Sequence, residues 1–224
     1  MIDESLDILI DDNKTKEELL ENISYSNIDT DDFDNVSEIL YKVLPIPSLN
    51  DAKQQLIISK SDFSKSVKCF DKRDNKIYGV LIFSDYHIID GSPITSENII
   101  LANYLFDLNC INGFAFVIDK RLRGTKVHRF MINKSINYIS SNYDFIWCGV
   151  EANLKSHNYW QKMGFINLFN IDEASFYIYF FDKLKLQEYL LLKEKIDNEQ
   201  DDNYFRNARE EFDKKINERR LGLH

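Results

Sequence analysis

Between Phe114 and Phe165 the chain reads as an apolar strand, a basic turn holding one glycine, an amphipathic helix, a second apolar strand and a short glycine-ended helix. This order constrains the fold more than any other feature. Alternating elements of this kind give a mixed sheet with helices on both faces. The first strand, Gly113–Asp119, is apolar on both sides, as expected for the middle of a sheet. The turn Lys120–Thr125 follows, with Arg121, Arg123 and Gly124, and then Lys126. The next helix carries Val127, Phe130, Met131, Ser135, Tyr138 and Ile139 on one face. A strand that feeds such a turn and then a helix N-terminus is a ready anion site. Free backbone N–H groups and the positive end of the helix dipole both point there. Phe145–Val150 is the second strand, and Asn153–Met163 the short helix that Gly164 caps.

The segments on either side complete a single domain. Ile23–Ile28 alternates like a first strand, and Asp29–Asp32 then supplies a helix N-cap and negative first-turn charge. Phe33, Val36, Ile39, Leu40 and Val43 recur at helical spacing until Pro45 and Pro47. Ser66–Phe70 and Ile77–Phe83 form a hairpin across the turn 71–75, and Ser84–Gly91 is extended without a clear type. A helix is expected within Thr95–Asn109, and Ile166–Phe169 with Ser175–Phe181 form a final strand pair. The expected order is therefore β, α, ββ, α, β, α, β, α, ββ over residues 23–183. Residues 1–22 are acidic with scattered Leu and Ile and read as a loosely attached extension. Within them Thr15 and Glu18 have capping-box spacing. Residues 184–224 are charged and helix-forming, with 197–202 separating two helices. Their apolar faces are expected to pack on the parent domain or on a second copy, giving a homodimer.

A formal charge of −9 over 224 residues argues against a nucleic-acid partner, which needs a positive surface. It is compatible with a cationic amine substrate, and it equally serves solubility alone. Cys69, Cys110 and Cys148 have no metal-site spacing and read as thiols in a reducing cytoplasm. The start, Met1-Ile2-Asp3-Glu4, lacks the charge and apolar core of a signal peptide, and no apolar run reaches transmembrane length. No membrane partner and no metal are expected.

Two motifs carry a family resemblance. After the central strand come Arg123, Gly124 and Thr125, with Lys126 and His128 at two later positions. After the next strand come Asn153, Ser156, Trp160, Lys162, Gly164 and Phe165. Their spacing resembles the pyrophosphate turn and the Asn-x-x-Ala…Tyr-x-Lys-x-Gly-Phe segment of the GNAT N-acetyltransferase superfamily, as a divergent member. Lys126 and His128 replace small residues, Ser156 replaces the alanine, and Trp160 replaces the tyrosine. An alternative register begins the first motif at Arg121. Lys126, Arg121 or Arg123 would then meet a phosphate by charge.

The resemblance implies an α/β (α+β) fold with a mostly antiparallel central sheet that splays open, flanked by helices. It implies acetyl-CoA as co-substrate, with its pantetheine arm along Phe116, Val117, Ile118 and Asp119. Its phosphates would lie at the turn from Arg121 and Arg123 through Gly124, Thr125, Lys126 and Val127 to His128. Asn153, Ser156 and Trp160 would complete that site. It implies acetyl transfer to a primary amine of a small molecule or protein. That chemistry needs a base for the amine, an oxyanion donor and an acid for the thiolate. Glu151 is the first candidate base, with Asp119, Asp85 and His87 as others. Indole N–H is too weak an acid, which leaves Tyr159, although its place one residue away turns it by about 100°. A second reading of the replaced motif residues is a ligand- or partner-binding module without catalysis.

Overall fold

The computed structural model describes residues 7–8, 10, 12–43, 46–58, 61–85, 87–88, 98–151, 154–171, 174–198 and 202–221. Its strands are β1 (Asp7–Ile8), β2 (Ile23–Asn27), β3 (Ser61–Asp71), β4 (Ile77–Ser84), β5 (Cys110–Asp119), β6 (Phe145–Glu151), β7 (Ile166–Ile171) and β8 (Ala174–Phe180). Its helices are α1 (Lys16–Asn22), α2 (Phe33–Val43), α3 (Leu49–Ile58), α4 (Ile99–Phe106), α5 (Val127–Ile139), α6 (Leu154–Lys162), α7 (Lys183–Asn198) and α8 (Asp202–Arg220).

The strands make one open sheet in the order β2-β3-β4-β5-β6-β8-β7, with β1 added on β5. Neighbours run antiparallel except β5 with β6 and β1 with β5. This is the mixed sheet that the residue pattern leads one to expect, and the mostly antiparallel one that the resemblance implies. β4 is buried along its whole length, as a strand covered on both faces must be. Gly79 stands there because a Cβ would lie 2.9 Å from Cys69 Sγ and 3.0 Å from the Val117 carbonyl oxygen.

Period-two alternation divides the side chains between two helical layers. Ile146, Cys148 and Tyr177 join Val36, Ile39 and Leu40 of α2 and Val127, Met131 and Ile132 of α5. Phe145, Trp147, Phe176, Ile178 and Phe180 face the other way, toward Leu101 and Leu105 of α4 and Tyr189 of α7. Phe212 of α8 closes a smaller cluster with Ile99, Ile100 and Ala102 of α4. The two C-terminal helices thus pack on α4 of the same chain. All three cysteines are free and buried.

Two elements escape the sequence pattern. α3 follows the proline pair at 45–47 and has little amphipathic signature, and of its described side chains only Ala52 and Leu56 are in the core. β1 is two residues long, too short for alternation to register. The loosely attached N-terminal extension is also corrected. α1 has its capping box, with Glu18 N–H donating to Thr15 Oγ1 (3.2 Å) and Thr15 N–H to Glu18 Oε2 (2.7 Å). Leu19 is fully buried, and residues 10–14 are tied to the sheet by the ionic cluster described below. The extended segment 84–91 and the start of the helix expected from Thr95 fall largely outside the described residues.

Candidate functional site

β5 and β6 pair over a short stretch, Cys110–Asn112 against Phe145–Trp147. Beyond it the two strands part, and on the side that β6 leaves only β1 borders β5, at Ile118 and Asp119. β5 stays with β4 out to Ile118, and β6 stays with β8 out to Glu151. The sheet therefore splays between 113–119 and 148–151, leaving a cleft floored by strand edges. The basic turn stands at the open end of that cleft.

The turn is built locally. The Asp119 carboxylate accepts from Arg121 N–H (2.9 Å) and caps a single 3-10 turn, Lys120–Leu122. Arg123 N–H returns to the Lys120 carbonyl (3.2 Å) and Thr125 N–H to that of Leu122 (3.3 Å). Thr125 Oγ1 then accepts the Val127 N–H (3.2 Å). Gly124 has φ +67°, a conformation that L side chains adopt only under strain. Chain neighbours apart, nothing lies within 4 Å of where its Cβ would stand, and the residue is exposed. The bulkier Lys126 and His128 therefore do not fill the space over the glycine. The first-turn amides of α5 lack acceptors inside the helix by construction, and they carry its positive dipole end.

The structure sorts the remaining candidates by burial and partners. Phe116 and Ile118 are half-buried, while Val117 and Val127 are buried in the core, so these two offer the cleft backbone only. Trp160, in the family's tyrosine position, is a core residue 6% exposed. It meets Phe165 edge-on at 4.6 Å between centroids and stacks on Tyr177 at 6.3 Å. Tyr159 turns the other way, onto His128 at the start of α5, 5.8 Å between centroids. Its hydroxyl is buried and has no hydrogen-bond partner among the described residues. Burial pushes that phenol well above its usual range, and it pushes the Cys148 thiol near it up to about 12. Burial also lowers His128, which favours a neutral imidazole.

Two assignments are corrected. Asp119 is fully buried and accepts from Ile10 N–H (2.8 Å) and from Arg121 Nε and Nη2 (2.9 Å each). A carboxylate so committed is not free to take an amine's proton. Arg121 spends its guanidinium inward as well. Nη1 donates to Asp12 Oδ1 and to the Lys14 carbonyl (2.7 Å each), and Nη2 donates to the Ile10 carbonyl (3.1 Å). It is a clasp for the N-terminal segment rather than a phosphate ligand, and no sequence signal placed residues 10–14 beside it. Asp85 and His87 follow β4, whose last residue pairs with Asn112, so they sit at the closed end of the splay. There Asp85 accepts from Tyr143 (2.8 Å) and Lys65 (3.2 Å). Glu151 ends β6 opposite Ala174. Its side chain and that of Ser156 on α6 are outside the described residues, as is Asn153 altogether.

The clasp extends to Lys14 Nζ, which bridges Asp71 (2.8 Å) and Asp74 (2.6 Å). Burial works to raise the Asp12 carboxyl, but hydrogen bonds from Tyr78 and Arg121 outweigh it and hold it well below 3.8. Arg73 chiefly, with Lys14, does the same for Asp71. Carboxyls depressed on folding confer stability that is complete above their unfolded value and lost as pH falls below it. Urea unfolding is therefore expected to show a plateau from neutral pH down to about 5 and a steep loss of stability below about 4. A stability flat to pH 3 would contradict the ion-pair account.

Among the described residues no group of three or more His, Cys, Asp or Glu could hold a metal ion. Nor is any helix among them long and apolar enough to cross a membrane.

No protein-family model matches the chain, and no curated protein does either. Solved structures do match in fold. PH1933 from Pyrococcus horikoshii OT3 superposes with a TM-score of 0.51 at 16% identity, over 70% of this chain and 98% of that one. Arylalkylamine N-acetyltransferase 2 from Aedes aegypti superposes with a TM-score of 0.51 at 14% identity, over 72% of this chain and all of that one. With its splayed β5–β6 pair and the glycine turn ahead of α5, the chain shares the fold of these structures, the architecture that the GNAT resemblance of its sequence implies.

Proposed function

We propose that this chain is an acyl-CoA-dependent N-acyltransferase that moves acetyl from acetyl-CoA directly to a primary amine of a small molecule or protein. The observation that carries the reading is the parting of β5 from β6 immediately before a turn with Gly124 at φ +67° and the N-terminus of α5. The free edge of β5 offers peptide N–H and C=O groups to the amides of a pantetheine arm over Phe116–Ile118. The amides of Gly124, Lys126 and His128, which the turn's own hydrogen bonds do not use, take the phosphates, with the exposed Lys126 adding charge. Such an arm would lead the thioester toward the β6 side of the cleft. There the amine nitrogen attacks the carbonyl carbon, the C–N bond forms and the C–S bond breaks. The leaving thiolate takes the Tyr159 proton, the amine's surplus proton goes to Glu151, and solvent carries one proton from Glu151 back to Tyr159 before the next turnover. A raised phenol suits this task because it is fully protonated at working pH. A thiolate in the same dry surroundings is made more basic too, as the behaviour of Cys148 indicates.

Titration calorimetry with acetyl-CoA and CoA tests the reading. Micromolar binding is expected for the wild-type chain, with a loss of at least tenfold in Gly124→Trp, whose side chain would stand in the space above the turn. Binding unaffected by that variant would place the ligand elsewhere. The replaced motif residues Lys126, His128 and Trp160 support the second reading, a binding module. Tight binding without acyl transfer across a panel of amines would favour it.

A further inference from the structure

The edge of β5 that the proposed function needs is already partly taken. β4 occupies one edge of β5 as far as Ile118, paired with Gly79. β6 occupies the other edge only through Asn112. Asp7 and Ile8 pair in parallel with Ile118 and Asp119. A strand has two edges, so β1 lies on the one that β6 has left. The N-terminal segment thus sits inside the mouth of the cleft, where the arm of an acyl-CoA would meet the phosphate turn.

It is also fastened there. Ile10 N–H donates to Asp119 Oδ2 at 2.8 Å, and Ile10 is 8% exposed. Arg121 grips Asp12 Oδ1 and the carbonyls of Ile10 and Lys14. Lys14 is anchored in turn on Asp71 and Asp74. Apart from Asp119, which ends β5, these anchors lie beyond the edge itself, so the pairing of two residues is held in place largely by side chains outside the cleft. Arg121 stands between the strand and the glycine turn, close to where an anion would arrive.

We propose that the segment carrying Asp7, Ile8, Ile10, Asp12 and Lys14 forms an intrasteric strap, which occupies the β5 edge in the free chain and must be displaced by acyl-CoA. This inference rests on the acyl-CoA reading. The strap and the ligand's arm compete for the same backbone groups at Ile118 and Asp119, and a single edge can pair with only one of them. Apparent affinity is then reduced by the fraction of chains whose strap is shut. Anything that draws residues 7–14 away, such as a partner protein that binds the N-terminal segment, would raise cofactor affinity without touching the turn.

The test uses the full chain and acetyl-CoA. Ile10→Pro removes the N–H that Asp119 accepts and leaves β5, the turn and α5 unaltered. It is expected to bind acetyl-CoA at least tenfold tighter than wild type, while Ile10→Val, which keeps the N–H, matches wild type. Hydrogen exchange on the wild-type chain gives an independent readout. Saturating acetyl-CoA should strip protection from amides in 7–14 while adding it in 123–130. Equal affinities in wild type and Ile10→Pro, with exchange in 7–14 unchanged by ligand, would overturn the strap and leave the cofactor reading standing. No binding by either protein would overturn the cofactor reading and the strap together. If Ile10→Pro fails to fold, the wild-type exchange result decides alone.

Discussion

Arg121→Met is expected to lower the free energy of unfolding by about 3–5 kcal/mol, the range for removing one partner from a buried ion pair. The guanidinium neutralises Asp119, which is fully buried, and Asp12, whose side chain is 13% exposed. It also satisfies the Ile10 and Lys14 carbonyls. Methionine fills a similar volume, so the loss comes from stranded carboxylates and carbonyls rather than from a cavity. Arg121→Lys should recover only part of it, because an ammonium cannot reproduce the planar fork that meets both Asp119 oxygens. Adding Asp119→Leu to Arg121→Met should restore stability relative to the single variant, since it removes the stranded charge. Urea melts at pH 7 decide the matter. A loss below 1 kcal/mol would mean that water reaches this cluster freely and that the clasp is a surface feature.

Tyr159→Phe is expected to reduce kcat by roughly 10²–10⁴, the usual contribution of a positioned acid. That corresponds to about 3–5 kcal/mol of barrier. Binding of acetyl-CoA should change little. Stability should hold or rise slightly, because the hydroxyl is buried with no partner among the described residues, and losing it relieves an unmet desolvation cost. This combination separates a chemical role from a structural one. A packing residue would lose stability and leave kcat alone. Trp160→Phe is the control. Its ring is core, wedged between Phe165 and Tyr177, so it should cost stability first. Full activity in Tyr159→Phe would remove the phenol from the mechanism.

The sheet, its flanking helices and the glycine turn are legible in the sequence because each leaves a periodic or punctuating mark. Val127, Met131, Ser135 and Ile139 recur on one face of α5 and are buried, whereas Phe130 and Tyr138, read onto the same face, are exposed. Gly124 and Gly164 both stand at positive φ. Tyr159 and Trp160 were harder to separate. Spacing alone assigns the tyrosine's place to Trp160, but the ring that turns toward α5 is that of Tyr159, and which ring does so depends on how α6 is seated on the sheet. Arg121 and Asp119 were misread for a different reason. Their partners Ile10, Asp12 and Lys14 lie more than a hundred residues away in sequence. No local pattern reveals a contact of that separation, and a basic residue beside a phosphate-type turn looks the same whether it faces outward or inward.

The short junction between β5 and β6 has a mechanical meaning. Among the described residues, the backbone ladder between the leaf built from 23–119 and the leaf built from 145–180 is limited to Cys110–Asn112 with Phe145–Trp147. Each leaf is otherwise contiguous in sequence and makes its strand pairs internally. The molecule is therefore jointed like a book along a brief spine, with α5 as the cover crossing from one leaf to the next. Opening the leaves breaks few backbone hydrogen bonds, so it is resisted mainly by the side chains packed across the spine. A ligand laid between the pages would stiffen the whole molecule, and thermal breathing and ligand entry would follow one and the same coordinate.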